Sequence, residues 1–423
     1  LFIRNCFRLA FSKHCENCSD SIFLLNCRNC QNCFGCVNLR HKQYYIFNRP
    51  YSKEGYFKKI KEFNLGSYSN LVKLKKRFRK HLLAYPHRYS YSPKLTSAIG
   101  DNILYPAKNC LYCFETVGDL EDCKFVTFAG YRLKDAYDCF ATGINASVLY
   151  ETLVGVSVSN IQFSIRIKNS YNINYCWNCF FSSNLFGCIG LRHKQYCILN
   201  KQYTKQEYEK LVPKIIDHMN KMPYRDKKGR VYKYGEFFPP ELSPFSYNET
   251  IAQEYFPKTK EQAIEQGYRW KDQEQRNIKP DIYTKDLPDH IKDVKDDILG
   301  KTIQCAHTKI KQDGALEPNC NEQCTTAFKI IPQELSFYRK MNLPLPRLCP
   351  NCRHYQRIKQ RNPLKLWKRK CQCNGETSSN GVYKNTTEHF HKNQPCPNEF
   401  YTTYSPDRKE IVYCEECYKR EVS

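Results

Sequence analysis

Apolar and polar positions alternate along much of the first 200 residues, which predicts short β-strands. From Val154 apolar residues occupy every second position, and the phase slips by one at Asn160 before the alternation resumes at Ile161. Such a slip is expected at a corner or bulge between two strands. A dipeptide of Asn or Asp followed by a small residue also recurs at short, irregular intervals, as in Asn109-Cys110.

Short strands, small residues and Asn at repeated positions favour a β-solenoid-like repeat domain, because stacked coils place small side chains inside a thin core. Asn tolerates the left-handed backbone conformation that a tight corner needs. A sandwich of irregular hairpins is the alternative fold. The predicted fold class is mainly β with α insertions: a Cys/Asn-rich solenoid-like region, a helical linker region and two tandem zinc ribbons.

One segment occurs twice with a constant separation and no gaps. Residues 34–48 read FGCVNLRHKQYYIFN, and residues 186–200 read FGCIGLRHKQYCILN. Each copy leads into a predicted helix, and in the second copy Thr204 and Glu207 form a capping box. Pro213 lies inside that helical pattern and predicts a kink or a restart of the helix.

Changes in composition divide the chain into five parts. We expect the repeat region at 1–51 and 96–203, a basic helical insertion at 52–95 and a helical and linker region at 204–300. Within the last of these, Asn248 and a Thr259/Gln262 capping box each predict a helix start, and 281–300 is typical of a linker. Zinc ribbon 1 is expected at 301–353, and a basic tract with zinc ribbon 2 at 354–423.

Charge and cysteine content narrow the class of protein. Lys and Arg total 67 against 42 Asp and Glu, a formal net charge of +25. No apolar run approaches the roughly 18–20 residues that cross a bilayer, so we expect no membrane span. The 25 cysteines follow no secretory signal, which indicates reduced thiols or metal ligands in the cytoplasm. Because the chain opens at Leu1 rather than Met, we expect the natural start upstream.

The last 120 residues contain two C-x-x-C pairs, Cys349/Cys352 and Cys414/Cys417. Such a turn directs two thiolates at one tetrahedral ion, so we predict two zinc ions, each with four ligands. The predicted first set is Cys320, Cys324, Cys349 and Cys352, and the predicted second set is Cys371, Cys396, Cys414 and Cys417. Cys305 is the alternative to Cys320, Cys373 the alternative to Cys371, and His307 and His391 are further candidates.

Residues 324–353 resemble the "probable zinc-ribbon" domain family. The residues that match its pattern are Phe328, Glu334, Phe337, Tyr338, Pro346, Cys349, Cys352 and Arg353. The spacing of Cys320 and Cys324 departs from the C-x-x-C that begins this family. More loosely, the whole chain is similar to Cys-rich repeat plus zinc-ribbon proteins of candidate-phylum bacteria. The resemblance implies a zinc-binding fold for the tail and implies no activity.

The run Cys27, Cys30, Cys33 and Cys36 resembles the spacing of a [4Fe–4S] ferredoxin motif, although the final gap is short and Val37 replaces the expected Pro. At the matching positions of the second copy stand Cys179, Ser182, Leu185 and Cys188. The loss of two thiols there favours small core residues over zinc or a cluster.

Both copies of the repeated segment carry Arg-His-Lys. The sets Arg40, His41, Lys42 and Arg192, His193, Lys194 indicate either an anion site made twice or a rim that pairs with Glu54 or Glu207. No nearby pair of carboxylates suggests an acid–base catalyst.

Two basic tracts indicate a polyanionic partner. Six of the eight residues from 73 to 80 are Lys or Arg, and the segment 353–370 contains no acid. Its predicted nucleic-acid-binding residues are Arg353, Arg357, Lys359, Arg361, Lys365, Trp367, Lys368, Arg369 and Lys370. The interleaved aromatics favour RNA over DNA. We therefore predict a non-catalytic, zinc-stabilised nucleic-acid-binding protein. A protein–protein scaffold is the first alternative, and a nuclease or iron–sulfur redox protein is the second.

Overall fold

The computed structural model describes residues 3–92, 94–272, 278–312 and 316–422. The secondary structure is mostly strand, with some helices, which confirms the predicted mainly β class with α insertions. Within the described ranges, no helix combines the length and the apolar character that crossing a bilayer demands.

Residues 3–46 form a stack of short parallel strands. Each residue pairs with the residue twelve positions later: Phe7 lies opposite Ser19, Ser19 opposite Gln31, and Gln31 opposite Gln43. The strands are Ile3–Arg4, Phe7–Ala10, Cys15–Glu16, Ser19–Ile22, Gln31–Phe34 and Gln43–Ile46. We call this unit the first block, and we call each of its twelve-residue repeats a coil.

Residues 95–198 form a second block of the same kind. Leu120 pairs with Leu133, thirteen positions on, and Ser183 pairs with Gln195, twelve positions on. The strands are Leu95–Thr96, Ile99–Ile103, Ala107–Lys108, Leu111–Thr116, Gly118–Lys124, Tyr131–Tyr137, Ala146–Asn174, Ser183–Phe186 and Gln195–Ile198.

The backbone bends at every third residue in both blocks. Asn26, Asn29 and Asn32 have φ of 50°, 52° and 49°, and the long strand Ala146–Asn174 bends in the same way at Val148 and Glu151. Left-handed φ is unfavourable for most residues, but Asn adopts it readily. The recurrent Asn-small dipeptide therefore marks a corner followed by an inward-facing residue.

The inward-facing residues are small, and their polar atoms bond to the backbone. The Cys30 Sγ donates to the carbonyl of Arg28 at 3.3 Å, and the Ser182 Oγ donates to the carbonyl of Phe180 at 2.9 Å. Cys30 and Ser182 occupy matching positions in the two copies of the repeat. A thiol and a hydroxyl are thus equivalent here, which explains why the second copy loses cysteines without losing the fold.

Each copy of the repeat closes the end of a block. The side-chain amide of Asn48 bonds to both the N–H and the carbonyl of Val37, and Asn200 bonds to Ile189 in the same way. These amides satisfy backbone groups that the next coil would otherwise pair. A short strand turns back after each copy, at Arg49–Pro50 and at Lys201–Gln202.

A helix then packs on each end. Helix α1, Lys53–Glu62, follows the first block, and its Tyr56 lies 5.8 Å from Tyr44 between ring centroids. After the second block, Tyr208 lies at the same distance from Tyr196. The shared sequence therefore encodes the closure of a stack, including the tyrosine of the covering helix.

The insertion at 52–95 is helical as predicted. It contains α1 and helix α2, Tyr68–Leu82, whose buried Leu71, Leu74 and Phe78 join the apolar cluster around Phe23. The insertion ends in the strand Pro86–Arg88, which pairs in parallel with Ile411–Tyr413. This pairing attaches the C-terminal part of the chain to the first block, and sequence patterns did not predict it.

The described residues of the region 204–300 contain three α-helices: α3, Lys205–Lys221, α4, Ala252–Tyr255, and α5, Lys260–Glu265. The predicted capping boxes of α3 and α5 both form, and α3 continues through Pro213 without a restart. A hairpin joins Tyr224–Arg225 to Val231–Tyr232, and a 3₁₀ turn covers Pro240–Leu242.

Two details of this region differ from the sequence predictions. The prediction that Asn248 caps a helix is wrong, because Asn248 lies inside a 3₁₀ turn that begins after Ser246. Residues 281–300, predicted as a linker, contain the 3₁₀ turns Thr284–Asp286, Ile291–Asp293 and Asp296–Ile298. The apolar side chains of this segment are buried in the core that also contains Ile303 and Phe328.

The described C-terminal part consists of short hairpins and three helices, arranged in two modules. The first module comprises 303–312 and 316–358, and the C-terminal module comprises 367–422. Its helices are α6, Pro332–Lys340, α7, Pro350–Ile358, and α8, Glu415–Val422. Its antiparallel pairs are Ile303–Gln304 with Ala327–Phe328, Thr308–Ile310 with Leu316–Pro318, and Trp367–Lys370 with Glu399–Thr402.

Candidate metal centres

The first candidate centre joins a hairpin to the start of a helix. Cys305 follows the strand Ile303–Gln304, and Cys324 precedes the partner strand. Cys349 is the N-cap of α7, and Cys352 lies in its first turn. The four Sγ atoms are buried and all lie within 4.8 Å of one another. The Sγ atoms of Cys349 and Cys324 are 3.8 Å apart.

The second candidate centre repeats this plan. Cys371 follows the strand Trp367–Lys370, Cys396 precedes its partner strand, and Cys414 and Cys417 flank the start of α8. Their Sγ atoms also lie within 4.8 Å of one another and are buried. Cys396 is 3.9 Å from Cys414 and 3.7 Å from Cys417, measured between sulfurs.

Hydrogen-bond donors favour the ionised form of one cysteine at each centre, Cys349 at the first and Cys414 at the second. The Cys349 N–H donates to the Cys305 Sγ at 3.2 Å, and the Cys414 N–H donates to the Cys371 Sγ at the same distance. Hydrogen bonds from Cys305 and then Cys324 hold the pKa of Cys349 far below its ordinary value. Bonds from Cys371 and Cys417 do the same for the pKa of Cys414. The thiolate is the form that binds a metal.

Of the alternatives left open by the sequence, the structure brings Cys305 and Cys371 into the four-cysteine groups. Cys320 lies instead in an overlapping group with His307, Glu322 and Cys352.

Cys373 and His391 lie in another overlapping group, with His389 and Cys417. His389 and Glu322 were missed in the sequence, although the alternation in His389-Phe390-His391 is a signal for two side chains on one face of an extended segment.

The cysteines of the first block are arranged differently. Among the described residues, none of the candidate ligand groups includes Cys27, Cys30, Cys33 or Cys36. These side chains are buried in the core of the first block, and the sulfurs of Cys27 and Cys36 donate to the carbonyls of Leu25 and Phe34. The arrangement is that of core residues.

The basic tract 353–370 acquires acidic partners from distant parts of the chain. Four of its cations pair with carboxylates that the local sequence lacks: Arg353 with Glu334, Lys359 with Glu322, Arg361 with Glu115 and Lys368 with Glu399. The expectation of a tract without counter-charge is therefore wrong for these four residues. Arg369 donates to the carbonyls of Tyr404 and Ser405.

Three exposed cations of the tract form no ion pair with the described residues. Within the described ranges no ion pair includes Arg357, Lys365 or Lys370. The Lys365 ammonium lies 5.3 Å from the centroid of the half-buried Trp367 ring. A smaller set of cations and one aromatic therefore face solvent together.

The second basic tract lies on the outward face of α2. Its six cations are exposed, while Leu71, Leu74 and Phe78 face the core, and none of the ion pairs between described residues involves the six. Lys13 interacts with both tracts. The Lys13 ammonium donates to the Gln360 carbonyl at 3.2 Å. Burial, and then the positive charges of Arg408 and Arg79, lower the pKa of Lys13 to about 8.

The arginines of the two Arg-His-Lys sets contact the preceding coil of their blocks. Arg40 donates to the Asn26 carbonyl at 2.5 Å, and Arg192 lies over the Phe180 ring at 5.2 Å. Among the described ion pairs, none joins these sets to Glu54 or Glu207, their predicted partners. Glu207 accepts hydrogen bonds from Thr204 instead.

The other members of these sets also contact neighbouring coils. His41 lies 3.3 Å from the Asn29 amide, His193 stacks on Phe181, and Lys42 lies 6.0 Å from the Tyr45 ring centroid. The Lys194 backbone N–H donates to Ser182.

No protein-family model matches this chain, and a search of curated proteins finds no match.

Proposed function

We propose that this chain is a non-catalytic zinc protein that binds nucleic acid, preferably single-stranded RNA, on a surface formed by two basic tracts. The observation that carries the proposal is that Lys13 interacts with both tracts: its ammonium donates to the carbonyl of Gln360 in the tract 353–370, and the positive charge of Arg79 in α2 lowers its pKa. We propose that these segments, which are far apart in sequence, form one electropositive surface. A phosphate backbone would supply the missing counter-charge.

Zinc is the ion that suits the two four-cysteine centres. Zinc–sulfur bonds of about 2.3 Å in a tetrahedron place sulfurs about 3.8 Å apart. The sulfur separations of 3.8, 3.9 and 3.7 Å agree with that edge. Four buried thiolates leave no open position, which is typical of structural sites rather than catalytic ones.

The contacts around the first centre support the resemblance to the "probable zinc-ribbon" family. Arg353 donates to Glu334 at 3.0 Å and to the Tyr338 hydroxyl at 2.9 Å, and Tyr338 donates to Glu334 at 2.5 Å. All three residues belong to the matching pattern. Their network fastens α6 to α7, beside the metal ligands, and we propose that both modules are zinc ribbons.

We further propose that the two blocks are β-solenoids with four corners per coil. A pairing offset of twelve residues with a corner at every third residue supports this. The free, reduced cysteines support a reducing compartment such as the cytoplasm.

Salt-dependent binding tests the nucleic-acid proposal. We expect the full chain to bind single-stranded RNA with an affinity that falls steeply as salt rises. The double variant Lys73→Glu/Lys76→Glu should weaken binding and reduce the slope of log affinity against log salt by about 1.4, at about 0.7 per lost phosphate contact.

The matched control is Lys210→Glu/Lys214→Glu, which makes the same charge change on exposed positions of α3. It should leave the slope nearly unchanged. Equal effects of the two variants would reduce the interaction to overall charge and would contradict a defined surface.

A protein-binding scaffold is the second candidate function, and exposed aromatic residues favour it. Tyr112 and Phe125 stack with their ring centroids 5.2 Å apart on adjacent coils, and both are exposed. Aromatic residues are enriched at protein interfaces. A partner that copurifies after nuclease treatment, and is lost in Phe125→Ser, would support this function.

A further inference from the structure

We infer that the C-terminal module holds a second metal ion, bound by Cys373, His389, His391 and Cys417, with the Cys417 thiolate shared between two ions. The four ligand atoms lie within 4.8 Å of one another. Cys417 also belongs to the four-cysteine centre described above. The inference rests on the proposed metal-binding function of that centre and does not depend on nucleic-acid binding.

His389 is oriented as a metal ligand. It is 3% exposed, and its Nε2 lies 3.1 Å from the buried carboxylate of Glu421. A hydrogen bond from Nε2–H to this carboxylate leaves the lone pair on Nδ1. The Nδ1 atom is buried and has no hydrogen-bond partner among the described residues. A carboxylate on one ring nitrogen and a metal on the other is the usual environment of a ligating histidine.

Glu421 is itself held in place, so that it can orient His389. It accepts from the Tyr383 hydroxyl at 2.8 Å and from the Thr386 N–H at 2.9 Å. Its side chain is fully buried. A buried carboxylate with several donors fixes the position and the tautomer of the imidazole beside it.

His391 has the complementary arrangement. Its Nδ1 lies 2.5 Å from the Gln394 carbonyl, so Nδ1 carries the proton and Nε2 carries the lone pair. Nε2 lies 3.3 Å from the Cys417 sulfur. A tetrahedral zinc ion places a nitrogen and a sulfur ligand about 3.6 Å apart. Each histidine therefore has one nitrogen occupied by an oxygen acceptor and one directed at the thiols.

The two sulfurs complete a ligand set suited to zinc or a similar divalent ion. Cys373 is fully buried and accepts from the Asn385 amide at 3.2 Å. Cys417 stands between this group and Cys396, whose sulfur is 3.7 Å away. Two thiolates and two imidazoles are a common zinc set. One thiolate has lone pairs enough to bridge two ions.

The first module provides an internal contrast. Its overlapping group also shares a thiolate, that of Cys352. There, however, the His307 Nδ1 lies 3.1 Å from Glu322, which also pairs with Lys359. The histidine and the carboxylate satisfy each other, and neither is among the buried atoms that lack a partner. We therefore assign the additional ion to the C-terminal module alone.

The experiment is elemental analysis of the purified full chain, combined with zinc X-ray absorption spectroscopy. We expect three zinc ions per chain and a first shell containing nitrogen as well as sulfur. His389→Gln keeps a donor for Glu421, and His391→Asn keeps a donor for the Gln394 carbonyl, while each removes the ligating nitrogen. Each variant should therefore fold and hold two ions.

Cys320→Ser is the matched control, because it alters the overlapping group of the first module, and it should retain three ions. Two ions in a sulfur-only shell for the wild-type chain would overturn the inference while leaving the two four-cysteine centres intact. An unchanged zinc count in His389→Gln would overturn it as well. A chain with no zinc at all would overturn the proposed zinc centres too.

Discussion

The same cysteine spacing has different consequences in the two halves of the molecule. Cys27 and Cys30 in the first block are three residues apart, as are Cys349 and Cys352 in the first module. In the block, Asn29 has a φ of 52°, and the Cys30 sulfur faces a backbone carbonyl. In the module, Cys349 caps a helix that contains Cys352, and both sulfurs join one group.

The backbone between two cysteines therefore decides whether they become core residues or ligands. A left-handed corner places successive cysteines on different sides of a coil, where each thiol donates to backbone carbonyls of its own coil and of the next one. A helix start points both sulfurs in one direction, toward a third and a fourth sulfur from a hairpin. This difference between core cysteines and ligand cysteines can be tested by removing the metal, the thiols or the protons on the thiols.

Metal removal should have the largest effect. Chelation of the full chain is expected to abolish amide protection across 303–352 and 367–417, because a structural zinc site contributes about 10–16 kcal/mol of folding free energy. Protection in 146–198 should persist, since those coils use thiols only as packing. Hydrogen exchange with peptide-level resolution measures both regions, and equal protection with and without chelator in the modules would contradict the contrast.

Matched serine substitutions should differ by several kcal/mol. Cys349→Ser removes a ligand and should lower the free energy of unfolding of its module by more than about 4 kcal/mol, with loss of one zinc ion. Cys30→Ser should change stability by about 1 kcal/mol or less, because Ser182 fills the matching position with the same hydrogen bond. Urea unfolding and zinc analysis of both variants make the comparison. Similar losses in the two variants would show that the block also depends on metal.

Alkaline pH should produce the most gradual effect. Burial raises the pKa of Cys139 to about 12 from an ordinary value of 9.0. Above pH 9 the unfolded chain loses this proton while the folded chain keeps it, so stability should fall between pH 9 and 12 by up to about 1.4 kcal/mol per pH unit.

The urea midpoint of the second block measures this decline, and Cys139→Ala should reduce its slope. The variant is tolerable because Ala129 and Ala136 already occupy buried positions of the same block. The modules should respond in the opposite direction, since protons displace metal from thiolates as pH falls. A midpoint that stays constant up to pH 12 would contradict a protonated thiol core.

Part of the architecture could be predicted from the sequence. The Asn-small dipeptides indicated corners, but the three-residue spacing of most corners was missed because the inward residues vary among Cys, Ser, Ala, Leu and Ile. The repeat was found, but its role in closing the end of a block was not. That role of Asn200 is recognisable only when its side-chain amide is seen beside the backbone N–H of Ile189. The C-x-x-C pairs indicated the metal centres, whereas the choice of Cys305 and Cys371 depended on hairpin register.

The sequence alone determined the elements that local chemistry controls: the corners at Asn, the capping boxes of α3 and α5, the helical insertion and the paired cysteines. Only the tertiary structure decided which distant groups meet. It paired Arg361 with Glu115, joined the strand Pro86–Arg88 to Ile411–Tyr413, and placed Glu421 behind His389. The physical reason is that a φ angle or a helix cap depends on adjacent residues, while a ligand set or an ion pair depends on how separate segments pack.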